Sequence, residues 1–179
     1  MKNAETIYWK AEALQIRSMR PEDAREIYTT YLSYNWHPVL ETYENYYREQ
    51  EAGERLVFIA EYEGRVSGLC TLVLHPTEGP WAIQGYPEIV DLTVFYHVHN
   101  RGIGSKLLDA AESEAAKRAD MVYLAVGVHG GYGAAQRLYV KRGYIPDGSG
   151  VWYQGKPLEP YTSCCNDDEL VLFLSKKLR

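Results

Sequence analysis

Asp91-Leu-Thr-Val-Phe-Tyr-His-Val-His-Asn-Arg-Gly-Ile-Gly-Ser105 is the stretch of this 179-residue chain that decides its fold. An apolar strand runs into a turn that contains Gly102 and Gly104, and a helix begins at once. The N-terminus of a helix has unpaired backbone N–H groups and a partial positive charge. Glycines there let a phosphate approach the backbone closely. The stretch therefore predicts a strand–turn–helix corner that can bind a pyrophosphate.

Two widespread phosphate-binding patterns do not fit this turn. A P-loop requires Gly-x-x-x-x-Gly-Lys-Ser/Thr, but His99 stands at its first glycine and Ser105 at its lysine. The dinucleotide-binding pattern requires a third small residue where this chain has Leu107. A plain strand–helix corner with no ligand therefore stays open as the alternative interpretation of the local sequence.

Hydrophobic periodicity on both sides of this corner predicts one α/β (α+β) domain over residues 1–179. Strands are predicted at 14–17, 56–62, 65–74, 87–95, 121–128, from 144 and at 169–174, and helices from 21, at 39–52, 102–118 and 130–141. The first helix has one apolar face, formed by Ala24, Ile27, Tyr28, Tyr31 and Leu32. The expected architecture is a mixed, mostly antiparallel central sheet of about seven strands with helices on both faces.

The composition excludes several classes of protein. Hydrophobic residues make up 46% and charged residues 24%, which is typical of a globular chain. A net charge of -5 disfavours nucleic acid as a partner, because phosphate binding requires a basic face. No apolar run reaches the ~18 residues of a membrane helix, and Met1 to Arg17 lacks the apolar stretch of a signal peptide. We therefore expect a cytoplasmic protein with no membrane partner.

A second motif lies at the end of the 130–141 helix, in Ala135-Gln-Arg-Leu-Tyr139-Val-Lys-Arg-Gly143-Tyr144. This motif and His99-Asn100-Arg101-Gly102-Ile103-Gly104 occur in the order and at the distance found in the GCN5-related N-acetyltransferase (GNAT) family, which the chain resembles over residues 14–174. That family usually has Gln or Arg where this chain has His99, and often Asn where it has Tyr132. The resemblance implies the GNAT fold and an acetyl-CoA-dependent N-acetyltransferase.

The resemblance also implies how acetyl-CoA would bind. The family's fourth and fifth strands splay apart and hold the cofactor between them, and free backbone N–H groups near Leu92, Thr93 and Val94 would face the thioester carbonyl. The pyrophosphate would bind at the turn formed by His99, Asn100, Arg101, Gly102, Ile103, Gly104 and Ser105. Tyr132 and Gln136 are further candidate cofactor contacts.

Three side chains are candidates for proton transfer. Tyr139 is the candidate general acid, because a phenol is protonated at neutral pH and can donate to a departing thiolate. Glu88 and Asp91 are rival candidates for the general base, and a water chain to a more distant residue is a third possibility. Because side chains alternate along a strand, the two acids should face opposite sides unless a bulge intervenes.

The acceptor is expected to be the primary amine of a small molecule. Aromatic residues concentrate where the family's acceptor pocket is formed: Tyr28, Tyr31, Tyr34, Trp36, Tyr43, Tyr46, Tyr47, Trp152, Tyr153 and Tyr161. Aromatic faces bind cations, but the same residues could equally cover the sheet or form a homodimer interface. A protein amine as acceptor, or a non-catalytic acyl-CoA sensor, are the alternatives. His97 and His99 lack further ligands in the sequence, so no metal site is expected.

Overall fold

The computed structural model describes residues 5–179. The signal-peptide prediction concerned Met1 to Arg17, and its first four residues lie outside the described part. The predicted mixed α/β class is confirmed, with four α-helices and nine strands within residues 5–179. The chain divides into two compact units, Met1–Val73 with Asp91–Ser113 and Leu74–Val90 with Glu114–Arg179. No helix of the described residues is both long and apolar enough to cross a membrane.

The first unit is built on four antiparallel strands in sequence order: β1 (Ile7–Ala11), β2 (Leu14–Ser18), β3 (Arg55–Tyr62) and β4 (Arg65–Val73). Its helices are α1 (Asp23–Ser33), α2 (Leu40–Ala52) and most of α3 (Ile103–Ala116). The side chains of Val57, Ile59 and Leu69 form a core with α1 and α2. Leu107 of α3 approaches Gly68, which neighbours Leu69 and faces the other side of β4. Helices therefore cover both faces of this unit's sheet.

Helix α1 follows its predicted apolar face with one exception. Ala24, Ile27 and Tyr31 are buried, but Leu32 is 44% exposed and does not belong to the core. The helical repeat explains this, because Leu32 lies about 100° around the axis from Tyr31. Helix α2 ends at Ala52, as the glycine at position 53 predicted. Gly53 takes the left-handed conformation (φ 76°) that ends many helices.

A buried ion pair joins α1 to β2. The guanidinium of Arg17 donates to both carboxylate oxygens of Asp23, at 2.6 and 2.9 Å, and its Nε donates to Glu61 at 2.8 Å. The side chains of Arg17 and Asp23 are each only 2% exposed. Because every charge here has a hydrogen-bonded partner, the burial cost is offset and the start of α1 is fixed.

Gly68 of β4 allows a close approach by Thr93, which lies near the end of β5 (Glu88–Val94). A Cβ built on Gly68 would lie 2.6 Å from the carbonyl oxygen of Thr93 and 3.3 Å from the Cα of Val94. Both neighbours are backbone atoms and cannot turn away as a side-chain tip can. Glycine is therefore required for Thr93 and Val94 to lie where they do.

We expect Gly68→Ala to lower the free energy of unfolding by about 1–3 kcal/mol, because the added methyl group displaces the backbone at Thr93. Urea denaturation followed by circular dichroism measures the change. Gly133→Ala is the matched control, because a Cβ there meets nothing within 4 Å. Equal stability of the two variants would show that the backbone at Thr93 is not closely packed on Gly68.

The second unit contains the start of β5, β6 (Met121–Gly127), α4 (Gly133–Lys141), β7 (Ile145–Tyr153), β8 (Lys156–Pro157) and β9 (Leu170–Lys177). Its strand order is β5-β6-β9-β7-β8. The β5–β6 pair is parallel, with Glu88 opposite Tyr123 and Ile89 opposite Leu124, and the other pairs are antiparallel. The mixed, mostly antiparallel character predicted from the sequence is therefore confirmed.

The structure differs from the predicted element pattern in three places. Strands β1 and β8 were not predicted, which raises the described strand count from about seven to nine. β1 has mixed polarity and pairs only with β2, and β8 has two residues, so neither has a clear alternating pattern. The helix predicted from 130 begins at Gly133, after a short 3-10 turn at Gly130–Tyr132.

Candidate active site

The turn before α3 is shaped by two residues with left-handed backbones. Asn100 has φ 62° and Gly102 has φ 73°, and a Cβ on Gly102 would meet nothing within 4 Å. α3 begins at Ile103, and the Lys106 N–H donates to the Gly102 carbonyl at 3.2 Å. Open space at a glycine beside the N-terminus of a 14-residue helix suits a pyrophosphate, because the positive end of the helix faces it. The chemistry of this turn fits the phosphates of a CoA-type cofactor.

The two basic side chains of the turn contact protein groups. His99 Nε2 lies 2.8 Å from the Val94 carbonyl oxygen, so this nitrogen carries the proton and ties the turn to the end of β5. Arg101 places its guanidinium 5.0 Å from the ring centre of Tyr62 and donates to its hydroxyl at 3.0 Å. Both side chains therefore orient the turn, which leaves the N-terminus of α3 and the open space at Gly102 as the features that suit a phosphate.

Asp91 lies within β5 but has a φ of 60°, in the left-handed region. Aspartate is one of the few residues besides glycine that adopt this conformation readily. A left-handed residue inside a strand is the kind of irregularity that removes the simple alternation of Glu88 and Asp91. Leu92, Thr93 and Val94, which follow directly, are half-buried.

The Asp91 carboxylate lies among phenols from α1 and α2. The Tyr46 hydroxyl donates to Asp91 Oδ2 at 3.1 Å, and Tyr31 hydrogen-bonds the Thr93 side chain. Burial raises the pKa of Asp91 above its ordinary value, while the Tyr46 hydrogen bond and the Arg55 charge act against this rise. Burial and the Asp91 charge also raise the pKa of Tyr43, to about 12. A carboxyl whose pKa is raised by burial is well suited to accept a proton.

Glu88, the rival acid, has different neighbours. It hydrogen-bonds the hydroxyl of Tyr123, which lies 3.3 Å from the Glu78 carbonyl oxygen. Burial, and after it the Glu88 carboxylate, raise the pKa of Tyr123. Trp81 packs against the Tyr123 ring at 5.1 Å between centroids. Glu88 thus contributes to a contact that holds the 75–87 loop on β6.

The candidates on and before α4 are packed against the protein itself. Tyr139 is 6% exposed and its ring centre lies 5.8 Å from that of Tyr144. The Gln136 amide donates to the Gly127 carbonyl at 2.8 Å. The Tyr132 ring covers Gly127, where a Cβ would lie 2.3 Å from it.

The Tyr132 hydroxyl has a partner that the sequence did not indicate. It donates to Asp168 Oδ1 at 2.9 Å, and His129 Nε2 lies 3.0 Å from the same oxygen. His129 Nδ1 accepts the Gly131 N–H at 3.1 Å, so Nε2 carries the proton. These two hydrogen bonds, His129 first, lower the pKa of Asp168. Tyr132 and His129 together fix the glycine-rich segment before α4.

Three partners in this region were missed by the sequence reasoning. Tyr46 was named only as one of many aromatic residues, and Arg55 and the His129–Asp168 contact were not singled out. Tyr46 and Asp91 are 45 residues apart, and no motif links them. Such pairs leave no signal in the sequence, because the two residues become neighbours only when distant segments of the chain pack together.

The sequence matches the family described as the acetyltransferase (GNAT) family over residues 21–144. Among curated proteins none matches the chain. The structure is similar to an acetyl transferase from Salmonella typhimurium that modifies the N-terminal serine of ribosomal protein L7/L12 (TM-score 0.71, 13% identity, covering 96% of this chain and 99% of that one). It is also similar to yncA from Salmonella typhimurium, solved with its cofactor acetyl-CoA (TM-score 0.68, 16% identity, covering 94% of this chain and 95% of that one). A third similar structure is an N-acetyltransferase from Staphylococcus aureus Mu50 (TM-score 0.68, 20% identity, covering 94% of this chain and 100% of that one). At these identities the structural likeness supports the fold.

Proposed function

Because this chain belongs to the acetyltransferase (GNAT) family, we propose that it transfers an acetyl group from acetyl-CoA to the primary amine of a small molecule by direct attack. The observation that carries the proposal is the Asp91 carboxylate, held among phenols at the left-handed residue of β5. Bound acetyl-CoA supplies an electrophilic thioester carbonyl and a thiolate leaving group. The chain supplies phosphate binding, a proton acceptor and a proton donor.

The turn at 99–105 binds the pyrophosphate in this proposal. The first N–H groups of α3 have no carbonyl within the helix to bind, and Gly102 leaves room beside them. His99 stabilises the turn through the Val94 carbonyl instead of contacting phosphate through a long side chain. In this protein, therefore, backbone N–H groups of the turn replace the phosphate contact that the Gln or Arg side chain at position 99 makes in the family.

Asp91 is the proposed general base. An amine is mostly protonated at neutral pH and must lose a proton before it can attack. Since burial raises its pKa, the Asp91 carboxyl holds a proton more strongly than an exposed aspartate and is the better acceptor. Glu88 is the weaker candidate, because its hydrogen bond to Tyr123 belongs to the contact that holds the 75–87 loop on β6.

Tyr139 is the proposed general acid. Its place in the Ala135–Tyr144 motif supports this role, and a phenol can donate a proton to a thiolate at neutral pH. The ring is buried against Tyr144, so packing fixes the position of the ring that carries the hydroxyl. A fixed donor costs little reorganisation in the transition state.

Direct attack is favoured by the state of two of the three cysteines, Cys70 and Cys165. Burial and the charge of Asp91 raise the pKa of Cys70, and the neighbouring Asp167 carboxylate raises that of Cys165. A raised pKa lowers the thiolate fraction, which is the nucleophilic form. Neither cysteine is therefore suited to carry the acetyl group as an enzyme thioester.

A small cationic amine is the proposed acceptor because an acidic group is surrounded by aromatic rings. Tyr31 and Tyr43 lie beside Asp91, and Trp36 stacks on Tyr31 at 5.0 Å while remaining 43% exposed. Aromatic faces and a carboxylate both attract an ammonium group. A protein N-terminus is the second candidate, because the similar Salmonella enzyme modifies the N-terminal serine of L7/L12.

A panel of small amines and of lysine-bearing or free-N-terminal peptides tests this function by release of CoA from acetyl-CoA. We expect faster release with at least one class of cationic small amine, and acetylation of that amine by mass spectrometry. Release with peptides alone would transfer the proposal to a protein acceptor. Binding of acetyl-CoA without release by any acceptor would favour the non-catalytic sensor instead.

A further inference from the structure

Arg55 lies on the ring of the phenol that binds Asp91. Its guanidinium carbon is 4.4 Å from the ring centre of Tyr46, and the Tyr46 hydroxyl donates to Asp91 Oδ2 at 3.1 Å. Arg55, Tyr46 and Asp91 belong to β3, α2 and β5, so three elements of the first unit meet at this contact. A cation, an aromatic ring and a carboxylate therefore form one continuous row, which we call the Arg55 row.

The guanidinium is fixed in this position. Its Nε forms an ion pair with Glu49 of α2, and its Nη1 donates to Thr71 Oγ1 of β4 at 2.8 Å. The Arg55 side chain is 13% exposed. Because it is held from both sides and largely withdrawn from water, its charge is less screened than that of a surface arginine.

The row has a definite electrostatic effect. Burial, and after it the Asp91 charge, raise the pKa of Tyr46, and the Arg55 charge acts against this rise, because a cation over the face of a phenol favours the ionised ring. A more acidic phenol is a stronger hydrogen-bond donor to a carboxylate. The positive charge also favours the ionised form of Asp91 directly.

The other groups near Asp91 bring no positive charge to it. Tyr31 of α1, Tyr43 of α2 and Cys70 of β4 each interact electrostatically with its charge, and none of them is a cation. Burial disfavours the charged carboxyl. Of the groups that act on Asp91, Arg55 supplies the positive charge and Tyr46 the hydrogen bond.

We propose that Arg55 is a positioning residue that, through the ring of Tyr46, keeps Asp91 ionised and oriented to accept a proton at neutral pH. The inference rests on the proposed role of Asp91 as general base. Arg55 itself does not touch the substrate. Its removal should leave the base in place but make it available only at higher pH.

The pH dependence of kcat/KM tests this inference, with Arg55→Met as the main variant. Without the cation the pKa of Asp91 rises further, so the acid limb of the profile should move to higher pH by about one unit. At pH values below the acid limbs of both enzymes the variant should be about ten-fold slower than wild type, and on the pH plateau the two should be similar. Arg55→Lys keeps a cation near the ring, so its acid limb should lie close to that of wild type.

Two controls separate this effect from a general loss of structure. Arg48→Met removes an arginine of α2 that is 64% exposed, and its acid limb should coincide with that of wild type. Tyr46→Phe keeps the ring but removes the hydroxyl, and its acid limb should move in the same direction as that of Arg55→Met. If Arg55→Met does not fold, the Tyr46→Phe profile decides the question.

An unchanged acid limb in Arg55→Met, or in Tyr46→Phe if Arg55→Met does not fold, would overturn the inference. Failure of the proposed function gives a different result, because Asp91→Asn would then keep the wild-type rate whatever the Arg55 variants do. An Arg55→Met protein that is equally slow at every pH would also contradict the inference, since a purely structural role does not depend on protonation.

Discussion

Asp91→Asn should lower kcat for acetyl transfer by about 10²–10⁴-fold, the range that a lost general base commonly costs. Asparagine keeps an oxygen that accepts the Tyr46 hydroxyl, and it tolerates the left-handed backbone at this position. It cannot take a proton from an ammonium group. The rate of CoA release at saturating acetyl-CoA and amine measures the loss, and binding of acetyl-CoA should change little.

The stability of the same variant gives an independent readout. A carboxyl whose pKa is raised in the folded state adds stability only at low pH, and this contribution is lost as the pH rises through the folded pKa. At neutral pH the buried charge is therefore a cost, which Asp91→Asn removes. We expect its melting temperature at pH 7 to equal or exceed that of wild type, while its activity collapses.

Glu88→Gln is the matched comparison for the base. It removes the other candidate carboxylate and leaves an amide oxygen to accept from Tyr123. We expect it to keep most of the wild-type kcat. The opposite pattern, an inactive Glu88→Gln and an active Asp91→Asn, would assign the base to Glu88.

Tyr139→Phe should lower kcat by about 10²–10³-fold with little change in acetyl-CoA binding, because only a proton donor used in the transition state is removed. Phenylalanine keeps the ring, which is buried against Tyr144, so the packing of α4 is retained. Initial rates of CoA release and acetyl-CoA titration measure the two quantities.

Tyr144→Phe is the control for this prediction. Tyr144 is a neighbouring tyrosine, 1% exposed, and its substitution also removes one hydroxyl from the same cluster. We expect a wild-type kcat from it. Equal losses in the two variants would indicate that the hydroxyls support packing, and the assignment of Tyr139 as acid would be wrong.

The sequence predicted those elements whose periodicity is set locally. The α1 face through Ala24, Ile27 and Tyr31, the end of α2 at Gly53 and the β5–turn–α3 corner all follow from spacing and backbone preference. Strand β1 could not be predicted in this way, because its mixed polarity becomes a strand only by pairing with β2.

The surroundings of the candidate base could not be predicted from the sequence. Asp91 lies in an otherwise ordinary strand pattern, and its left-handed backbone is set by the packing around β5. Its pKa depends on Tyr46 and Arg55, which approach it only after α2, β3 and β5 have come together. The sequence identifies the chemical groups, but tertiary packing decides which acid has a phenol and a cation beside it.

The measurement that tests the central claim most directly is the initial rate of CoA release with acetyl-CoA and the best amine both varied. Direct transfer requires both substrates to be bound at once, so double-reciprocal plots should give intersecting lines, with one acetylated amine formed for each CoA released. Parallel lines together with an acetylated form of the protein would contradict direct attack. Release that does not depend on any amine would contradict the assignment of the chain as an N-acetyltransferase.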